Sequence, residues 1–177
     1  MNPPVGATDA FMMPYHVSRS CIFVQERFAG DRTIDVDTVC SFIEMTRFPV
    51  PDDAHYQRLD TFAALVRAAD LIGQMGDPLY PQKLSRLYME FAETGEAERL
   101  GYANAAELRE GFPDFFYDQV YPYITEGLRF LRKTQEGQQW IANLFHHVHE
   151  MQGDSDLERP AGLEAGDRIV PFALKTS

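Results

Sequence analysis

Residues 59–73 have the sequence LDTFAALVRAADLIG, and this segment shows the pattern that decides the fold class. Its apolar residues recur at intervals of three and four, which is the period of one face of an α-helix. Gly73 is placed to end this helix, because glycine readily adopts the backbone conformations found at helix C-termini. The apolar face that we predict consists of Leu59, Phe62, Ala63, Val66 and Ala69, with Asp70 near its end.

Apolar stripes at helical spacing also lie on both sides of this segment. Asp35 is a predicted helix N-cap, Asn104 with Glu107 forms a predicted capping box, and Pro122 predicts a kink. No alternating apolar and polar run exceeds four residues, so we predict an all-α fold built as one helical domain. The helices between Asp35 and Gly95 are expected to pack as consecutive antiparallel neighbours. The stripes are formed by Val17, Cys21, Val24 and Phe28; by Val36, Val39, Cys40 and Ile43; by Leu84, Leu87, Tyr88 and Phe91; by Phe116, Val120, Ile124, Leu128 and Leu131; and by Trp140, Ile141, Leu144, Phe145 and Val148.

The chain's 177 residues fit one domain, with an irregular lead-in over 1–14, the helical domain over 15–152 and a polar tail over 153–177. A formal net charge of −11 disfavours binding to nucleic acid and to anionic membranes. The two cysteines are too few for a disulfide framework and fit a reducing cytoplasm. Because no secretory signal and no apolar run of about 18 residues occurs, we expect a cytoplasmic protein outside the membrane.

Asp70 is the first candidate for chemistry, because an unpaired carboxylate on an apolar face is costly to bury. It needs an arginine, backbone donors or a metal ion as its partner, and these alternatives stay open on the pattern alone. Phosphate-binding loops, dinucleotide fingerprints, the serine-hydrolase elbow and the zinc-protease motif are all absent from the sequence.

An ordered series of short motifs resembles a known superfamily. The similarity extends from about Pro14 to Leu131, and it is to the C-terminal half of cyclic-nucleotide phosphodiesterase catalytic domains within the HD-domain metal-dependent phosphohydrolases. The motifs are His16-Val17-Ser18-Arg19-Ser20, Ile43-Glu44-Met45-Thr46, Ala68-Ala69-Asp70, Glu90-Phe91, Gly95-Glu96-Ala97-Glu98-Arg99, and Phe115 followed by Val120-Tyr121-Pro122.

The resemblance implies a helical fold of the HD type and a divalent metal ion, which would be Mn, Mg, Fe, Co or Zn. Asp70 and His16 match metal ligands, and Phe115 and Phe112 match substrate-binding positions, with Phe112 replacing a purine-reading glutamine. A metal-bound water would then hydrolyse a small phosphorylated molecule, either a phosphomonoester or a nucleotide. The resemblance assigns no further catalytic residue.

The superfamily's earlier histidine and its His-Asp pair are missing, since no His-Asp dipeptide occurs in this sequence. We therefore expect that the N-terminal helices carrying those ligands are lacking and that the metal site is incomplete. Two functions stay open. One is a weak or inactive metal-dependent phosphohydrolase, and the other is a non-catalytic helical module for binding or assembly.

Two further groups of residues bear on these alternatives. His146, His149 and Glu150 share one helical face that can hold a metal, although histidines near a helix C-terminus are also favoured by the helix dipole alone. The aromatic residues of the stretch 112–123 are expected to serve the core and, in part, a homo-oligomer surface.

Overall fold

The computed structural model describes residues 9–152. Within that range the chain is helical and has no β-strand, so the all-α prediction is confirmed. Residues 9–14, which were predicted as irregular, belong to a 3-10 helix, while residues 1–8 and the predicted tail over 153–177 lie outside the described residues. The elements are the 3-10 helix Asp9–Tyr15, α1 (His16–Arg27), α2 (Val36–Met45), α3 (Phe62–Met75), α4 (Tyr80–Thr94), α5 (Glu96–Leu100), α6 (Ala105–Glu110), α7 (Phe112–Phe115), a π-helical segment (Phe116–Val120), α8 (Tyr121–Leu131) and α9 (Gln135–Gln152).

Local sequence signals set several of these boundaries. Asp35 caps α2, because its carboxylate accepts a hydrogen bond of 3.1 Å from the backbone N–H of Thr38. Asn104 caps α6 in the same way, and the carboxylate of Glu107 accepts a hydrogen bond of 2.8 Å from the backbone N–H of Ala103. Gly95 ends α4 at a φ of 76°, a left-handed conformation that favours glycine. The predicted caps at Asp35 and Asn104 are confirmed.

The helix around Pro122 continues through the proline. Proline has no N–H to donate, and it lies in the first turn of α8, where a missing donor costs least. The irregularity falls just before it, where Phe116–Val120 winds as a π-helix and the N–H of Tyr121 reaches the carbonyl of Phe116.

The core lies where α3, α8, α9 and the π-helical segment meet. Gly127 of α8 packs directly against Ala68 and Ile72 of α3, so the two helices approach closely there. The buried apolar side chains of this core are Ala68, Leu71, Ile72, Met75, Leu84, Phe112, Phe116, Val120, Ile124, Leu128, Leu144, Val148 and Met151.

The apolar face predicted for α3 is wrong. Phe62, at the start of that face, is 77% exposed, and Asp70 is also exposed. α3 carries apolar residues around most of its circumference, so its sequence does not determine which face is buried. Packing against α2 and α8 buries the face opposite to the predicted one. α3 also continues past Gly73 to Met75 and is capped by Gly76. Its buried residues are Ala64, Arg67, Ala68, Leu71, Ile72 and Met75.

The expected run of antiparallel neighbours holds only in part. α2 packs against α1 and α3, whereas α4 packs mainly against α5, α6 and the N-terminal 3-10 helix. The turn at 76–79 therefore carries the chain away from α3 instead of folding it back along that helix. None of the helices in residues 9–152 is long and apolar enough to cross a membrane.

Candidate functional site

The two predicted metal ligands have separate surroundings. The Asp70 side chain is exposed, and its Oδ1 accepts a hydrogen bond of 3.1 Å from Nε2 of Gln74, one turn later in α3. His16 is exposed at the start of α1, and its Nδ1 contacts the backbone carbonyl of Met13. Asp70 was expected to be buried, with an arginine, backbone donors or a metal ion as its partner; the burial is wrong, because the face that carries Asp70 is turned to solvent.

No hydrogen bond joins Asp70 to His16. Within residues 9–152, no group of three or more His, Cys, Asp or Glu side chains is arranged to hold a metal ion. The metal-ligand role of the two residues stays a prediction.

The predicted substrate-binding aromatics, by contrast, lie together. The ring centroids of Phe112 and Phe115 are 6.3 Å apart, and Phe112 also packs on Tyr80 at 5.2 Å. Both phenylalanines line an apolar cavity of about 40 Å³ between α4, α6 and α7. Pockets for drug-sized ligands measure about 300–1,000 Å³, so this space is too small for a nucleobase. Phe112, which is 3% exposed, therefore packs here as a core residue.

The remaining aromatics of this stretch are divided between core and surface. Phe116 is fully buried, whereas Tyr117 and Tyr121 are 45% and 37% exposed and contact each other edge to face, with ring centroids 6.0 Å apart. The predicted homo-oligomer surface would therefore consist of the tyrosines, and it stays a prediction.

A larger cleft, of about 480 Å³, lies between the start of α4, the end of α6 and the middle of α9. Unlike the apolar cavity, it is lined mainly by groups that donate or accept hydrogen bonds. Two of them, His146 and Glu150, belong to the cluster that the sequence singles out. The lining residues are Pro78, Pro81, Gln82, Arg109, Asn143, His146, His147 and Glu150.

His147 is the unusual residue of this cleft. It is only 4% exposed, and its Nδ1 lies 2.8 Å from the backbone carbonyl of Met75, at the end of α3. A carbonyl only accepts, so Nδ1 carries the hydrogen, and the Nε2 edge of the ring is the one that remains for a ligand. Tyr80 stacks on the imidazole at 6.2 Å, which further fixes the ring.

No residue between positions 9 and 152 forms a hydrogen bond with Nε2 of His147. Among the residues that the structure describes, the cleft therefore contains a ring nitrogen of fixed orientation that no side chain or backbone group engages. Burial also raises the pKa of the Tyr80 hydroxyl, so this neighbour of the imidazole stays a neutral phenol.

Arg109 provides the cationic side of the cleft. Its Nη2 donates a hydrogen bond of 2.8 Å to Oε1 of Glu150, which joins α6 to α9. Nε2 of His146 lies 3.9 Å from the other carboxylate oxygen. The first turn of α4 also borders the cleft at Pro81 and Gln82, and a helix N-terminus carries partial positive charge.

The sequence pattern gave no role to His147. It grouped His146 with His149 and Glu150, whereas the structure brings His146, His147, Glu150 and Arg109 to one cleft. The missed signal was present in the spacing: His147 falls at helical intervals with Leu144 and Met151, which are both buried. A polar residue within such a stripe requires a specific partner, and the Met75 carbonyl provides it.

A buried charge lies elsewhere, at Arg67 of α3. Its side chain is 1% exposed, donates to the carbonyl of Tyr56 at 2.7 Å, and lies over the ring of Tyr123 at 4.5 Å. Within residues 9–152 the Nε of Arg67 has no hydrogen-bond partner, and burial lowers the pKa of the guanidinium. These contacts attach the connection between α2 and α3 to α8, so we assign Arg67 a structural role.

Comparison with known proteins assigns the chain to a family. The model of the Npun_R2479-like family matches residues 1–154. The chain belongs to this family. The match includes every residue that lines the polar cleft of this Npun_R2479-like protein. No curated protein and no solved structure matches it. The resemblance to HD-domain phosphohydrolases is not tested by the family match and stays a prediction.

Proposed function

We propose that this chain is a helical binding module whose polar cleft binds a small phosphorylated molecule. The observation that carries the proposal is the buried imidazole of His147, which is anchored through Nδ1 and whose Nε2 has no hydrogen-bond partner within residues 9–152. A ligand hydroxyl, or a phosphate oxygen that carries a proton, would donate to Nε2.

Arg109 supports an anionic ligand. A guanidinium has five N–H donors, and within residues 9–152 one hydrogen bond, to Glu150, engages that of Arg109. The remaining donors are suited to phosphate oxygens, which arginine binds in a bidentate manner. The partial positive charge at the start of α4 favours the same ligand, and the amides of Gln82 and Asn143 add neutral donors.

The carboxylate of Glu150 is the opposing contribution. It repels a phosphate, but it also holds the Arg109 guanidinium at the cleft in the unliganded chain. A bound phosphate would have to compete with Glu150 for the same cation. We therefore propose moderate affinity and a ligand small enough to bind in about 480 Å³.

The proposal is for binding and assigns no hydrolytic step. Asp70 and His16, the ligands implied by the superfamily resemblance, do not line this cleft. The retained part of the phosphohydrolase hypothesis is its substrate class, a small phosphorylated molecule. We place this binding in the cytoplasm, where the two free cysteines also fit.

Isothermal titration with the full chain tests the proposal. The probes are inorganic phosphate, ribose 5-phosphate and AMP, with ribose as the control that lacks the phosphate. We expect binding of at least one phosphorylated probe and none of ribose. Arg109→Gln and His147→Gln should each weaken binding at least tenfold, because each removes a group that faces the ligand.

Arg129→Gln is the matched control. Arg129 pairs with Glu126 on the surface of α8, so its loss removes the same charge outside the cleft. Absence of binding by all three phosphorylated probes, or equal affinities in Arg109→Gln and Arg129→Gln, would refute the proposal. Phosphate release from a phosphomonoester with Mn²⁺, Mg²⁺ or Co²⁺, abolished by Asp70→Ala, would instead support the phosphohydrolase.

A further inference from the structure

We infer that Cys21 and Cys40 form a redox-sensitive pair, which an oxidant of the peroxide class converts into a disulfide that links α1 to α2. They are the two cysteines of the sequence, and both are free thiols in the structure. Neither residue lies in the polar cleft, so the inference is independent of the proposed function.

The reciprocal contacts of the two residues carry the inference. Sγ of Cys21 lies 3.7 Å from the backbone carbonyl oxygen of Cys40, and Sγ of Cys40 lies 3.6 Å from that of Cys21. Each side chain therefore reaches the other residue's backbone, which requires the two residues to face each other where α1 packs on α2. A disulfide needs such close approach, with Cα atoms about 4.4–6.8 Å apart.

The pair also meets the requirements of access and mobility. Both cysteines are partly buried, so a small oxidant can reach them while a protein-sized reagent is hindered. α1 packs mainly on α2 and on the N-terminal 3-10 helix. Its position can therefore adjust slightly as the side chains rotate from the carbonyls towards each other.

The chemistry balances with hydrogen peroxide as oxidant. One thiol, as its thiolate, attacks a peroxide oxygen and becomes a sulfenic acid while the O–O bond breaks and water is released. The second thiol attacks the sulfenic sulfur, an S–S bond forms, and a second water leaves. The two thiols lose two electrons and two protons, and the peroxide is reduced to two waters.

Burial, with Cys40 as the next cause, raises the pKa of the Cys21 thiol, so little of it is thiolate near neutrality. We therefore expect oxidation to be slow and to need sustained exposure to peroxide. The disulfide would close the loop between positions 21 and 40, and a loop of this size gives appreciable stabilisation. We expect the melting temperature to rise by roughly 6–12 °C.

The experiment treats the folded full chain with hydrogen peroxide and follows three readouts. We expect both thiols to become unreactive towards a thiol reagent, peptide mapping without reductant to show the peptides of Cys21 and Cys40 joined, and the melting temperature to rise. Dithiothreitol should reverse all three changes. Cys21→Ser and Cys40→Ser are matched controls, each of which should keep one thiol and show no thermal gain.

The urea-unfolded chain provides the decisive comparison. If the geometry matters, the folded chain should form the intramolecular link faster than the unfolded chain under the same peroxide concentration. Intermolecular dimers, sulfinic acid without a link, or equal rates in the folded and unfolded chains would each overturn the inference.

Discussion

Gly127→Ala and Gly73→Ala are the same substitution in two helices that pack together, and we expect them to change the free energy of unfolding in opposite directions. Gly127 lies inside α8 against α3, and a Cβ added there would be 2.9 Å from the Cβ of Ala68 and 3.1 Å from Cδ1 of Ile72. Gly73 lies inside α3 on its exposed side, where an added Cβ would meet nothing within 4 Å.

The magnitudes follow from these distances. Alanine is favoured over glycine in an exposed helix interior by about 1 kcal/mol, so Gly73→Ala should raise the free energy of unfolding by about that amount. At Gly127 the same gain is opposed by overpacking, which typically costs 1–3 kcal/mol. A methyl group such as that of Ala68 cannot rotate away, so the helices must separate. We therefore expect Gly127→Ala to lower the free energy of unfolding by about 1 kcal/mol.

Urea denaturation followed by far-ultraviolet circular dichroism measures both changes. A double-mutant cycle adds a sharper test, in which Ala68→Gly removes the methyl group that the new Cβ would strike. In that background Gly127→Ala should become stabilising, with a coupling energy of about 1 kcal/mol or more between the two positions. If Gly127→Ala stabilises the chain as much as Gly73→Ala, or if the cycle shows no coupling, the close α3–α8 contact is not as described.

Three other predictions concern a close approach, a cap and a titration. Gly137→Ala should lower the free energy of unfolding by about 3 kcal/mol in urea denaturation, because its Cβ would lie 2.1 Å from the carbonyl oxygen of Leu131. Asn104→Ala should lower the free energy of unfolding by about 1 kcal/mol through loss of the α6 cap, whereas Asn104→Asp should retain most of the stabilisation that the cap provides. Hydrogen bonds from Arg47, with a smaller one from Tyr56, hold the pKa of Glu44 below its usual value near 4.5. The contribution of Glu44 to stability is therefore complete above that value and is lost as the pH falls through the lower folded pKa, so the stability advantage over Glu44→Gln should decrease as the pH is lowered below 4.5.

Each of these expectations has a clear contrary result. A Gly137→Ala chain as stable as the original would mean that the C-terminal end of α8 does not approach α9 as the structure shows. Equal loss in Asn104→Ala and Asn104→Asp would remove the capping explanation. A stability difference at Glu44 that is the same at pH 7 and at pH 3 would show that its ionisation is not linked to folding.

Several helix boundaries could be predicted because they depend on neighbours in the chain, although α3 continues past Gly73, where its end was predicted. Asp35, Asn104 and Gly95 act through backbone groups one to three residues away, or through their own backbone conformation. Such contacts are available wherever the chain becomes helical, whatever packs against it. The helical class of the fold was predictable for the same reason, since the apolar period is a local property.

The buried side of α3 could not be predicted, and the expected burial of Asp70 was wrong for the same reason. Val66, Ala69 and Ala63 form as convincing an apolar stripe as Ala64, Ala68 and Leu71 do on the other side. Two such stripes compete, and the choice depends on which surface α8 and α2 can cover. Because the stripe with Ala64, Ala68 and Leu71 is the one that is buried, Asp70 is solvated and needs no buried partner.

The polar cleft likewise needed the tertiary structure. The sequence by itself determined that the chain is all-α, that helices begin after Asp35 and Asn104, and that α9 carries a group of histidines. Only the fold decided which histidine is buried, because the partner of His147 is the carbonyl of Met75, 72 residues away. It also brought Arg109 of α6 to Glu150 of α9 across 41 residues. The local sequence pattern determines which helix a residue belongs to, but the partner of its side chain is determined only when helices distant in the chain pack together.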